Sequence, residues 1–168
     1  MKVAVLALLS VASAFAQTPP AVPPLACGPE NVSFKVKLSE SPHTPEQPEP
    51  GKARVYFFQD AGTNQTLGYP TVKVAMDGAW AGANHVNSYF SVSVEPGEHH
   101  VCVALQSSLV AQRVELAHFT AEAEKIYYYR TRLILSRGIE LLELDPIDSD
   151  QARYLIGTFR LAVSSPKN

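Results

Sequence analysis

The chain is poor in the residues that advertise chemistry. Its 168 residues include two cysteines, two methionines and one tryptophan, and only 18 % are charged. Two cysteines fall short of a structural zinc site, which takes four ligands, usually closely spaced. No basic run occurs and the formal net charge is −2, so a nucleic-acid partner is disfavoured. Beyond the N-terminus, no apolar stretch approaches the roughly 20 residues a transmembrane helix needs. Nothing in the composition calls for a cofactor.

What the sequence does carry begins with an export signal. Lys2 supplies a positive start, Val3 to Val11 is apolar apart from Ser10, and Ala14-Phe15-Ala16 has the small-x-small pattern read by signal peptidase. Residues 1–16 are therefore expected to be a signal peptide, with a periplasmic or extracellular product. Pro24-Leu25-Ala26-Cys27-Gly28 superficially matches a lipoprotein processing site. Pro24 in place of Leu and the Pro-rich spacer before Cys27 argue against lipid attachment. In an oxidising compartment two cysteines predict a disulfide, here Cys27 to Cys102. A reactive Cys102 is the weaker reading, because His100 lies nearby but no orienting acid accompanies it.

The organisation is that of one domain with tails. A Pro/Ala-rich leader with the disulfide anchor covers 17–31, a single β-domain covers 32–145, and 146–168 is expected to hold a short helix and a tail. Ser39 to Gly51 carries Pro42, Pro45, Pro48 and Pro50 and reads as extended and poorly packed. Val32, Phe34, Val36 and Leu38 alternate with polar residues, the period of a strand with one buried face. Val55-Tyr56-Phe57-Phe58 is continuous and apolar, which suits a central strand covered on both faces. Asp77-Gly78 signals a type I′ hairpin. Tyr89 to Val94 and His99 to Leu105 flank Glu95-Pro96-Gly97-Glu98 and read as a second hairpin. Further strands are expected over Val110 to Phe119, Lys125 to Leu135 and Ile139 to Leu144, then a helix capped by Asp148 or Ser149. Seven to nine short strands with frequent turns predict an all-β sandwich with one short C-terminal helix.

Ala53 to Phe58, Val74 to Gly78, Tyr89 to His99 and Phe119 to Tyr128 together resemble a family of secreted bacterial domains of unknown function. The family is similar to PEGA-type surface domains, with prealbumin-like or immunoglobulin-like sandwich folds. The resemblance covers roughly residues 52–144 and implies fold far more than activity; no catalytic residue comes with it. The family usually has Gly where this chain has Glu124. The Cys27-Gly28-Pro29 opening with Cys102 is similar to exported proteins of soil bacteria.

Few residues stand out as candidate sites. Trp80 lies among Ala79, Ala81, Gly82 and Ala83, small neighbours that either leave the ring exposed for a sugar or protein partner or let it fold back over the sandwich. Tyr69 and Tyr89 are grouped with it as a candidate aromatic patch. Along 127–132, alternation sends Tyr127 and Tyr129 to one face and Tyr128, Arg130 and Arg132 to the other, a candidate anion-binding surface. His85, His99, His100 and His118 lack chelating spacing, since His99 and His100 point to opposite faces. Glu140, Glu143 and Asp145 share one strand without the groove a glycosidase needs. The expectation is a non-enzymatic, cell-envelope-associated binding or structural module, without cofactor, whose partner is an envelope protein or polysaccharide. The alternative is a secreted carbohydrate-binding module using exposed aromatics, and a small hydrolase is the weakest reading.

Overall fold

The computed structural model describes residues 27–40, 44–61, 70–106, 114–136 and 139–167. The expected signal peptide, Tyr69 and the turn at Arg137-Gly138 lie outside them. Ten strands and one helix follow in order: β1 Phe34–Leu38, β2 Ala53–Asp60, β3 Thr71–Met76, β4 Ala79–Asn84, β5 Ser88–Val94, β6 Gly97–Gln106, β7 Val114–Ala121, β8 Ile126–Ser136, β9 Ile139–Pro146, α1 Ser149–Thr158 and β10 Arg160–Pro166. They form a six-stranded sheet, β1-β10-β5-β2-β8-β9, and a four-stranded sheet, β4-β3-β6-β7. The fold is an all-β sandwich with one short helix.

Period two decides which side chains meet between the sheets. Val55 and Phe57 of β2, Phe90 of β5 and Leu133 of β8 pack against Val72, Val74, Val101 and Val103 of the smaller sheet. Each such side chain contributes roughly 1.5–3 kcal/mol when fully buried. The intervening residues Tyr56, Phe58 and Tyr89 face the other way and are sealed by Ala152, Leu155 and Ile156 of α1. That second layer is why β2 reads as apolar without alternation. Helix α1 starts where Asp148 Oδ1 accepts the Asp150 and Gln151 amides, both at 2.8 Å, satisfying donors that a helix N-terminus otherwise leaves open.

Two turns depend on left-handed backbone. Asp77 and Gly78 have φ of +50° and +81°, as a type I′ turn requires. Glu124 has φ of +63°, in the region where glycine is favoured.

Three expectations need correction. The strands flanking Glu95-Pro96-Gly97 are not a hairpin: β5 lies between β10 and β2 in the large sheet, while β6 pairs with β3 and β7 in the small one. The turn, with Gly97 at φ of +141°, carries the chain across the sandwich, and β5 has no free edge left for β6. The segment after the helix is not a tail, because β10 enters the large sheet between β1 and β5. Its Ser164 hydroxyl accepts the Ala83 amide of the opposite sheet at 3.0 Å. The described part of the Pro-rich stretch is exposed but not loose. Glu46 and Glu49 both bind Arg54, and the Glu46 carbonyl accepts the Tyr56 hydroxyl at 2.9 Å.

Candidate binding site

Among the described residues no helix lies over the outer face of the four-stranded sheet. Register places Lys73 opposite Ala104, Ala75 opposite Cys102 and Trp80, and Cys102 opposite Leu116, so all of these share one face. The expected disulfide is present: Cys27 is bonded to Cys102 across 75 residues of sequence. It lays Cys27 to Glu30 across the sheet and occupies the thiol that lipid attachment at Cys27 would need.

Trp80 holds this segment in place. Its Nε1 donates to the Pro29 carbonyl at 2.8 Å, and Gly28 lies so close that a Cβ there would sit 2.5 Å from the indole. Glycine at 28 is thus required by contact with Trp80. The Lys73 ammonium lies 4.1 Å from the centre of the indole, a cation–π contact, and donates to the Val32 carbonyl at 2.8 Å. Burial pulls the Lys73 pKa below the ordinary lysine value, with the Glu30 charge acting in the opposite direction.

Between the clipped segment and strands β6 and β7 runs a groove of about 490 Å³. Its walls include the disulfide, Trp80, Val114 and Leu116, with Lys73 contributing a cation and Glu30 a carboxylate. Val114 and Leu116 are 44 % and 61 % exposed. Large apolar side chains open to solvent beside a concave, mostly apolar surface are features of a binding site. The sequence reading found Trp80 and the disulfide but missed Lys73, Val114 and Leu116. The available signal was the apolar Val114 and Leu116 on one face of an edge strand.

The other candidates lie elsewhere. Tyr89 is 2 % exposed and packs on Phe58 and Tyr56 beneath α1, so it does not join Trp80 in an aromatic patch. Tyr127 and Tyr129 face the core between the sheets, whereas Tyr128 packs against the α1 cluster. Arg132 is held by Glu143 and Asp145, each at 3.0 Å, which neutralises it as an anion receptor and uses both carboxylates as counter-ions. Arg130 lies beside it on the same strand face, opposite Asp145.

His99 and His100 do point to opposite sides. His99 Nδ1 is 2.6 Å from Asp77 Oδ2 and its Nε2 is 2.7 Å from the Glu95 carbonyl. Burial opposes charge on this ring, but the Glu95 carbonyl and the Asp77 carboxylate outweigh it and the His99 pKa is raised. Burial likewise disfavours the charged Asp77, yet the His100 amide and the His99 ring hold its pKa below the usual value. His100 stands opposite His118 on β7, a pairing the sequence reading missed. No cluster of three or more potential metal-ligating side chains occurs among the described residues. His85 lies near Thr71, its Nδ1 3.3 Å from the hydroxyl. No helix among the described residues is long and apolar enough to cross a membrane.

The strands that build the groove fall largely within one matched region. Residues 49–141 match the family described as "Protein of unknown function (DUF2846)". The chain belongs to the DUF2846 family. The match spans more than half of the sequence and includes β2 to β8, hence Lys73, Trp80, Cys102, Val114 and Leu116. Cys27 lies before it, so only one end of the disulfide falls within the matched region. The match does not tie the chain to PEGA-type domains. No curated protein and no solved structure matches the chain significantly.

Proposed function

We propose that this DUF2846 protein is a non-enzymatic, exported binding module of the cell envelope, and that it binds through the groove on the outer face of its four-stranded sheet. The single observation that carries this reading is the groove itself: apolar, open, and framed by a disulfide that an oxidising compartment maintains. The N-terminal sequence pattern supports export, and the Arg132 ion pairs leave Glu143 and Asp145 engaged rather than poised for acid–base work.

Two measurements test it. Cell fractionation with thiol labelling of the denatured protein should recover an oxidised chain from the periplasm, envelope or medium; a reduced cytoplasmic chain would sink the reading. Emission from Trp80, the sole tryptophan, should then change saturably with an envelope component. Sugar stacking on Trp80 has weaker support, because the indole N–H is already bonded to Pro29 and Tyr89 is buried. A saturable response confined to polysaccharides would restore it.

A further inference from the structure

The clipped segment crosses the small sheet in a definite direction. Gly28 and Pro29 lie against Trp80 of β4, and Cys27 is bonded to Cys102 of β6. Traced back from Pro29 to Cys27, the segment therefore runs across the strands from β4 toward β7. The next side chain in that row is Leu116, directly opposite Cys102, with Val114 opposite Ala104 beside it. These two are the exposed apolar residues of the groove. Neighbouring strands lie about 4.8 Å apart and an extended residue spans about 3.4 Å, so two residues before Cys27 suffice to reach Leu116. Position 25 is a leucine.

Charge selects no ionic occupant. Lys73 and Glu30 both line the groove, and the Glu30 charge acts on the Lys73 ammonium, so the open apolar part suits a neutral, apolar occupant. Residues 17–26, which lie outside the described residues, carry four prolines and no ionisable side chain. A proline has no N–H and a fixed φ. Such a segment brings fewer donors to be left unpaired over carbon than an ordinary peptide, and it loses less freedom on docking. Attachment at Cys27 adds an effective concentration on the order of millimolar.

We propose that the groove is covered by the chain's own leader: residues 22–26 continue past Cys27 over β7, with Leu25 against Leu116 and Val114. Burial of these three apolar side chains drives the docking. On the reading that the groove is the binding seat, an envelope component displaces the leader in order to bind.

The test is a methyl NOE experiment on the oxidised chain with residues 17–26 retained, joined to a titration with the neutral apolar dye Nile red. Contacts from the Leu25 methyls to those of Leu116 or Val114 are expected, and they should persist when labelled chain is diluted with unlabelled chain. Leu25→Asp removes no side chain from the core clusters. It should abolish these contacts, shift the Leu116 and Val114 methyl signals, and raise Nile red emission severalfold as the groove opens. Leu25→Ile should behave as the parent chain does. The proposal is overturned if Leu25 makes no contact with β7, or if Leu25→Asp leaves the two methyl signals and the dye unchanged. Contacts seen only between labelled and unlabelled chains also overturn it, because the occupant is then a second copy. The binding-seat reading fails separately: an envelope component that does not bind even the Leu25→Asp chain ends that reading and leaves the docked leader standing. Saturable binding at the groove of a chain that shows no Leu25 contact keeps the seat and ends the leader proposal.

Discussion

The two outer faces of this sandwich are closed in different ways. On the large sheet, Tyr56, Phe58 and Tyr89 lie under α1, which buries them with Ala152, Leu155 and Ile156. On the small sheet, a short extended segment is clipped down by one covalent bond and one indole, and Val114 and Leu116 stay open. A helix covers by area, so its face is finished. A clip covers by attachment, so its face keeps a concavity. The difference separates a face sealed by packing from a face that keeps apolar surface open.

The largest effect should come from cutting the clip. Replacing Cys27 and Cys102 together by alanine removes a cross-link worth about 4 kcal/mol in the chain-entropy description. Chemical denaturation should report a loss of that order, together with a red shift of Trp80 as Cys27 to Glu30 leaves it. An unchanged Trp80 spectrum would mean that the indole and Pro29 suffice, and the contrast between the faces would weaken. Next, Leu155→Ala on the opposite side should cost about 3 kcal/mol as a buried large-to-small change, measured by the same melt, without altering Trp80 emission. Movement of Trp80 in that variant would couple faces that the structure keeps apart.

Smaller effects are expected where the chain crosses between the sheets. The His99 pKa is raised from 6.5, so its contribution is complete below that value and is lost as pH climbs through the folded pKa. Asp77 is lowered from 3.8, so its contribution is present above that value and is lost as pH falls through the folded pKa. The pair therefore supports the fold most between these limits. Asp77→Asn tolerates the left-handed turn and should remove a stability difference of no more than about 1 kcal/mol between pH 6 and pH 8. Equal slopes for wild type and variant in that window would reject the assignment. Glu124→Gly relieves a left-handed residue and should stabilise by up to about 1 kcal/mol. A destabilised Glu124→Gly variant would show that the Glu124 side chain matters more than its backbone.

Much of the architecture was legible in the sequence because it rests on side-chain period and turn chemistry. The double-faced burial of β2, the Asp77-Gly78 hairpin and the capped helix all follow from local residues. β10 was not legible, because the residues it turns inward include Ala162 and Ser164, while Val163 faces solvent. Its place is set by hydrogen bonds to β1 and β5 instead of by an apolar pattern. The crossing at Glu95 to Gly97 was missed for a related reason, since Pro-Gly chemistry specifies a reversal without saying which sheet receives the next strand. At the groove, Trp80 and the cysteines were visible individually. Lys73 was not, because an isolated lysine on a strand gives no sign that a distant segment will bury it.

The partnership of β1 with β10 sets a clock. Leu38 waits through 122 residues for Arg160, and synthesis at ~5–20 residues per second makes that about 6 to 24 seconds. Throughout the interval β1 has no neighbour in its sheet, and the large sheet cannot reach its final order. A nascent chain of this design cannot complete its large sheet until its last strand has been made, so its first strand is the last to find its place.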